Sequence, residues 1–299
     1  MDLSVVLNFL AAPFVASLIL TGIHAYLGVH VVERGVIFVD LSLAQIAALG
    51  ATIALLTPLS GGDPHAPSVY WVSLAFTFIG AALFSMIRVK RARIPQEAII
   101  GICYAVASAA AILAMSKATS ESEHLKDMLV GNILAVTWHE VFKTAVLYGI
   151  VGIFHYTFRR QFLAISRCHG DPESTGLNYR LWDFLFYASF GFVVTSSVAI
   201  AGVLLVFCYL IVPSVAAMLY SDSIGKRLAI GWTMGTVVSA LGVYLSLVLD
   251  LPTGATIVCT FGLVLIGMAA VRPLILSRRV AVPAPDANGG RVLPPRHEY

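Results

Sequence analysis

Residues 184–221 read FLFYASFGFVVTSSVAIAGVLLVFCYLIVPSVAAMLYS, a run of 38 residues that contains no Asp, Glu, Lys or Arg. At 1.5 Å per residue a single helix of this length would extend about 57 Å, nearly twice the ~30 Å thickness of a bilayer's hydrocarbon core. The run therefore predicts two membrane-spanning segments. We expect the chain to break near Ala201-Gly202 and the second segment to end around Pro213.

The composition of the whole chain also indicates a membrane protein. Of its 299 residues 59% are hydrophobic and 12% are charged, against about 25% charged residues in an average soluble domain. A water-soluble core of this length cannot bury so much apolar surface, which excludes a soluble globular domain. We predict an all-α, polytopic bundle of transmembrane helices in a lipid bilayer. The net charge of +3 gives no reason to expect a nucleic-acid partner.

The basic residues predict the topology. Lys and Arg cluster within 88–93, 159–180, 226–227 and 272–279. The positive-inside rule places all four clusters in the cytoplasm only if residues 184–221 cross the bilayer twice. The result is about nine crossings, or about eight if that run holds a re-entrant loop and one long helix, with the N-terminus outside and the C-terminus cytoplasmic. The other candidate spans are 5–29, 36–57, 69–87, 97–115, 141–158, 228–249 and 251–271.

The domain organisation is simple. Residues 1–280 form one predicted transmembrane domain, and residues 281–299, rich in Pro and Gly, form a predicted disordered cytoplasmic tail. The sequence holds no GxxxxGK[ST] motif for binding ATP and no hydrolase motif, so we do not expect an enzyme. The four cysteines form no CxxC pair, and we expect free thiols.

Few polar side chains lie at membrane depth, and each is a candidate functional residue because burial there is costly. The candidates for a cation path are Asp40, Ser42, Gln45 and His24. Ser42 and Gln45 share a helix face, whereas Asp40 and Gln45 point about 140° apart. Such oxygen donors predict weak, transient coordination. The structural alternatives are that Asp40 pairs with Arg34, that Gln45 bonds a neighbouring helix, and that His24 bonds a carbonyl group.

Small residues recur on one predicted helix near the C-terminus. They are Gly231, Gly235, Ser239 and Gly242, and the first two form a GxxxG pattern. Small side chains at this spacing allow two helices to approach closely. We interpret this face as a packing surface.

Four motifs carry a resemblance to a known family. They are Gly202-Val-Leu-Leu-Val206 with LIVPSVAA at 210–217, DLPTGA at 250–255, GNILAVT at 131–137, and DLSLAQ at 40–45 followed by Gly50. Together they resemble the GxLLV…ILPAATA, DxP[TA]GA, Gx[IL]LAV[TS] and GDALSH…G segments of permeases in the zinc/manganese-type ABC transporter family. The resemblance covers roughly residues 10–275.

This resemblance implies a function. Such permeases lie in the plasma (inner) membrane of a prokaryote, dimerise, pair with two cytoplasmic ATPase subunits and receive a divalent metal, zinc or manganese, from an extracytoplasmic binding protein. The transported ion is then the cargo, and no permanently bound cofactor is expected. The resemblance also implies an ATPase coupling segment between Ser214 and Arg227, with Tyr220, Ser221, Asp222, Gly225 and Lys226 as its other candidate residues.

The first-half motif departs from the family pattern. Ungapped alignment puts Leu41 at the family's Asp and Gln45 at its His, so an amide oxygen replaces an imidazole. His24 is a candidate to compensate. Because of this departure, an ABC permease that carries a metal chelate or a cofactor is an alternative function. A carrier driven by an ion gradient is the alternative of another class, although the carboxylates that usually couple such carriers are nearly absent.

Overall fold

The computed structural model describes residues 3–58, 60–61, 63, 66–88, 94–116, 133–168 and 172–277. Within these ranges the regular structure is entirely helical, which confirms the all-α prediction. Residues 117–132, which include the first two residues of the GNILAVT motif, residues 89–93 and the tail 281–299 lie outside the described residues. The helices are α1 (Leu3–Arg34), α2 (Val39–Leu56), α3 (Pro67–Ile87), α4 (Gln96–Met115), α5 (Trp138–Thr157), α6 (Arg159–Ser166), α7 (Tyr179–Met218), α8 (Ile224–Leu249) and α9 (Thr253–Ser277).

Seven of these helices are long and apolar enough to cross a bilayer, and an eighth candidate is formed by α5 with α6, which meet at a bend of 77°. That count takes the 40 residues of α7 as one span. The chain is therefore a multi-pass membrane protein by length and composition. Its spans agree with those predicted from hydropathy to within a few residues.

Helix α7 reverses direction at its middle. Gly202 has φ 74° and ψ 161°, a backbone conformation that is essentially restricted to glycine. Asp183, near the start of α7, bonds Arg34 at the end of α1, whereas Ile200 packs with Ala12 and other residues near the start of α1. The two halves of α7 therefore run antiparallel, because the chain beyond α7 returns to the end of α1. The predicted break near Ala201-Gly202 is confirmed.

The predicted end of the second segment at Pro213 is wrong, because α7 continues to Met218. Proline removes one backbone donor and crowds the preceding turn, which favours a helix end without forcing one. Its neighbour Ser214 is buried, and the Ser214 hydroxyl donates to the carbonyl oxygens of Leu210 (2.8 Å) and Ala25 (3.2 Å). Packing against α1 thus carries the helix past the proline.

Most of the described basic residues gather at one end of the bundle, which we call the Arg34 end, whereas Lys143 follows Val141, which packs with Ala12 near the other end. Arg88 bonds Asp183 there, Arg167 donates to the Asp222 carbonyl (3.5 Å), and Arg272 donates to the Leu219 carbonyl (2.8 Å). A common end is what the positive-inside prediction requires. That this end faces the cytoplasm stays a prediction.

The core forms where α1 packs between α7 and α8. At Gly28 an added Cβ atom would lie 1.9 Å from the Leu210 carbonyl oxygen, so only glycine permits this approach of α1 to α7. Helix α2 lies on the other side of α7, against α3 and α4.

The small-residue face of α8 lies at close helix contacts. A Cβ atom at Gly235 would lie 2.2 Å from Thr21 Cγ2 of α1, and one at Gly242 would lie 2.8 Å from Ile257 Cα of α9. Gly231 faces Pro213 and Ala25 at ordinary contact distances, and the Ser239 hydroxyl is satisfied by the Gly235 carbonyl (2.6 Å).

Candidate functional site

Asp40 is the most unusual of the predicted site residues. It lies in the first turn of α2 and is 1% exposed. Among the described residues neither of its carboxylate oxygens has a hydrogen-bond partner. The alternative that Asp40 pairs with Arg34 is wrong, because Arg34 bonds Asp183 instead. An unpaired buried carboxylate is costly, so this site is electrostatically suited to a cation.

The other two candidates on α2, Ser42 and Gln45, add oxygen donors on a face of the helix that Asp40 does not share. Ser42 is fully buried and its hydroxyl has no partner among the described residues, while Gln45 is 8% exposed. Successive residues turn by about 100°, so Asp40 and Ser42 point to nearly opposite sides of α2. In the part of the chain that the structure describes, no three His, Cys, Asp or Glu side chains are placed to hold a metal ion. This conformation therefore offers separate donors and not a closed chelate.

His24 lies apart from these donors, between α1 and α7. Its Nδ1 atom is 2.8 Å from the Leu20 carbonyl oxygen and its Nε2 atom is 3.2 Å from the Ser197 hydroxyl. Both ring nitrogens are thus engaged within the protein. The structure does not bring His24 to the α2 donors, and its role in compensating for Gln45 stays a prediction.

A second set of buried imidazoles consists of His30 and His155, which lie within or directly after predicted spans. His30 Nδ1 lies 2.8 Å from the Ser166 hydroxyl, and His155 Nε2 lies 2.8 Å from the Ser189 hydroxyl. The Tyr26 ring packs against both imidazoles, with centroid distances of 4.9 and 5.5 Å, and the two imidazole centroids lie 6.5 Å apart. This group joins α1 to α5, α6 and α7.

The strongest ionic feature is one that the sequence reading missed. Asp183 is completely buried and accepts hydrogen bonds from Arg34 (2.5 Å) and Arg88 (3.0 Å). Burial lowers the pKa of Arg88, but the adjacent Asp183 carboxylate, with smaller contributions from Cys168 and Tyr187, raises it above its usual value. A sequence signal existed, since Asp183 directly precedes the long uncharged run and thus lies at a span end.

The predicted coupling segment divides into a buried and an exposed part. Ser214 belongs to the interior of α7, and the Tyr220 hydroxyl donates to the Met268 carbonyl (2.5 Å). Ser221 is partly exposed, and Asp222, Gly225 and Lys226 are exposed at the Arg34 end.

Arg227 differs from its neighbour Lys226. It is 6% exposed and forms an ion pair with Glu33 of α1. Of the two basic residues, only Lys226 is thus open to a partner protein.

Comparison with known sequences places this architecture in a family. The sequence model of the ABC 3 transport family matches residues 6–272. The manganese transport system membrane protein MntC of Listeria monocytogenes is 25% identical over 251 residues, which cover 84% of this chain and 86% of MntC. The chelated iron transport system membrane protein YfeC of Yersinia pestis is 24% identical over 251 residues, covering 84% and 82%.

Solved structures share the fold. PsaBC from Streptococcus pneumoniae, solved with a Fab, superposes with a TM-score of 0.71 at 21% identity, covering 87% of this chain and 90% of that one. An inward-facing ABC transporter of the metal-chelate type superposes with a TM-score of 0.65 at 16% identity, covering 93% of this chain and 90% of that one. Because the family model spans nearly all the described helices, this chain belongs to the ABC 3 transport family, whose members are membrane translocation subunits and not enzymes.

Proposed function

We propose that this chain is the membrane-spanning subunit of an ATP-driven importer whose cargo is a divalent metal ion, with manganese as the preferred ion. Family membership supports the transport class. The manganese transport relative MntC, which matches along most of both chains, supports the cargo. Family membership also favours this proposal over a carrier driven by an ion gradient.

The observation that carries the proposal is the unpaired, buried carboxylate of Asp40 in α2. A divalent cation is the natural partner for such a group. The other donors on α2, from Ser42 and Gln45, are also oxygens. Oxygen donors suit the harder Mn²⁺, whereas Zn²⁺ favours imidazole and thiolate ligands. The replacement of a family His by Gln45 is thus an argument for manganese over zinc.

The buried position of Asp40 implies a change of conformation during transport. In this structure Asp40 is 1% exposed, so we expect an ion to reach it in another conformation. A partner ATPase that binds one state better than the other shifts that equilibrium. We place the ATPase contact on the exposed residues of the coupling segment, including Asp222, Gly225 and Lys226.

The remaining parts of the importer follow from the family resemblance. We propose a homodimer of this chain in the inner membrane of a bacterium, with two ATPase subunits and an extracytoplasmic protein that delivers the metal. The inward-facing ABC transporter of the metal-chelate type, which shares the fold, supports the ATPase partner in general terms.

A metal chelate is the second candidate cargo. It is supported by YfeC, a chelated iron transport protein, and by the metal-chelate type transporter with the same fold. A chelate brings its own ligands, so it would need no His at position 45.

Purification tests the assembly. The tagged chain is extracted from its native membrane in mild detergent, and the proteins that accompany it are identified by mass spectrometry. We expect a near-stoichiometric ATPase with a Walker A motif. Its absence, under conditions that keep a control ABC complex intact, would contradict the proposed function.

Uptake tests the cargo. Cells with and without the gene are given radioactive manganese as the free ion, alone or with excess zinc, and radioactive iron as a chelate. Gene-dependent uptake of free manganese supports the manganese ion as the cargo. Gene-dependent uptake of the chelate alone would replace manganese by the second candidate.

A further inference from the structure

The last turn of α1 contacts two different parts of the protein through neighbouring residues. Glu33 forms an ion pair with Arg227 of the coupling segment. Arg34, the next residue, forms an ion pair with Asp183 in the first half of α7. Since neighbouring residues on a helix point about 100° apart, one rigid turn holds both contacts at once.

Within the coupling segment, Arg227 forms hydrogen bonds with residues that precede it. Its Nε atom donates to the Ser221 carbonyl (2.6 Å) and its Nη2 atom donates to the Asp222 carboxylate (3.3 Å). The Asp222 side chain is fully exposed, whereas the Arg227 and Glu33 side chains are 7% and 16% exposed. The guanidinium thus folds the segment and anchors it to α1 through Glu33.

On the core side, Arg34 joins α1 to two other helices, and its partner Asp183 adds a contact to the end of a third. Its Nη1 atom bonds Asp183 of α7 (2.5 Å) and its Nε atom donates to the Ser166 hydroxyl of α6 (2.9 Å). Asp183 also bonds Arg88 at the end of α3 (3.0 Å). Ser166 in turn bonds His30, one turn earlier in α1.

These contacts form a continuous mechanical connection. A displacement of the exposed segment acts on Arg227, then on Glu33, and then on the turn that carries Arg34 and its partners. Because the Arg34–Asp183 pair is almost completely buried, it has no water to replace a lost partner, and it therefore moves with α1 rather than breaking.

We propose that Glu33 and Arg34 are positioning residues that transmit movement of the ATPase-facing segment to the helices of the transport core. This inference rests on the proposed function, because it assumes that an ATPase moves the segment. Under this inference, Arg227 belongs to the buried part of the coupling segment and Lys226 to its exposed part.

A charge exchange tests the Glu33–Arg227 contact. Four forms of the complex are purified with the accompanying ATPase and reconstituted in vesicles: wild type, Glu33→Arg, Arg227→Glu and the double exchange. For each form the bound ATPase, the rate of ATP hydrolysis and the uptake of radioactive manganese are measured. Arg160→Glu, which reverses the charge of an exposed side chain at the same end of the bundle, is the matched control.

Each single reversal is expected to keep the ATPase bound but to lower the manganese taken up per ATP hydrolysed by about tenfold, which equals about 1.4 kcal/mol. The double exchange restores the opposite charges but not the hydrogen bonds from position 227 to Ser221 and Asp222, so it is expected to recover part of the wild-type ratio. The control is expected to keep the wild-type ratio.

Two results would overturn the inference. One is a wild-type uptake ratio in both single reversals. The other is a double exchange that assembles with its ATPase and stays as uncoupled as the single variants. Loss of the ATPase from the wild-type complex is a different result, because it would overturn the proposed function itself.

Discussion

Two buried aspartates of this chain have opposite surroundings. Asp183 is completely buried and accepts hydrogen bonds from both Arg34 and Arg88. Asp40 is 1% exposed, and neither of its carboxylate oxygens has a partner among the described residues. The same side chain thus joins helices in one place and lacks any described partner in the other.

The difference separates structure from function. Breaking a buried ion pair is strongly destabilising, because it leaves a charge without a partner. An unpaired buried carboxylate gives the fold nothing and costs desolvation, which is why we propose a cation as its partner in part of the transport cycle. Asp183 should therefore affect folding, and Asp40 should affect transport.

The largest effect on stability is expected for Asp183→Asn. The change leaves Arg34 and Arg88 buried without a counter-charge and is expected to cost about 3–5 kcal/mol. Thermal unfolding in detergent and the yield of monodisperse protein measure this loss. A variant that unfolds at the wild-type temperature would show that the carboxylate does not hold the helices together.

Removing one arginine at a time is expected to cost less, about 1–3 kcal/mol, because Asp183 keeps its other partner. Arg34→Gln should destabilise more than Arg88→Gln, since the Arg34 side chain is 1% exposed against 11% for Arg88 and also bonds Ser166. The two unfolding temperatures, compared with that of Asp183→Asn, give the order. The reverse order would show that the Arg88–Asp183 pair contributes more to stability than the Arg34–Asp183 pair.

At the Asp40 site, Gln45→His is expected to change selectivity. An imidazole favours zinc, so the ratio of zinc to manganese uptake should rise several-fold. Gln45→Asn, which keeps an amide, is the control and should leave the ratio near the wild-type value. An unchanged ratio in the His variant would remove Gln45 from the ion path.

The smallest effect on stability is expected for Asp40→Asn. An amide is less costly to bury than an unpaired carboxylate, so the unfolding temperature should stay the same or rise. The measurement is the same thermal unfolding assay in detergent. A loss comparable to that of Asp183→Asn would mean that Asp40 has a structural partner outside the described residues.

The parts of the fold that depend on local chemistry could be predicted from the sequence. The length of the uncharged run required a break, and Gly202 supplied a residue that tolerates φ 74°. The end of that run could not be predicted in the same way. Pro213 favours a helix end locally, but the burial of Ser214 against α1 carries the helix to Met218.

The ion pairs depend on distant parts of the chain and were not predictable. Asp183 is 149 residues from Arg34 and 95 from Arg88, so only the packed bundle shows that they meet. The same applies to Arg227 and Glu33, which are 194 residues apart. Asp40 was found because a charge at membrane depth is rare, but its lack of a partner among the described residues needed the structure.

Manganese uptake by the Asp40→Asn complex is the most direct test of the division between the two aspartates. The variant is first shown to unfold at no lower a temperature than the wild type. Vesicles that contain the variant and its ATPase are then compared with wild-type vesicles. We expect uptake to fall at least tenfold, about 1.4 kcal/mol or more of lost cation stabilisation. Wild-type uptake in a well-folded Asp40→Asn complex would contradict the assignment of Asp40 to the ion path.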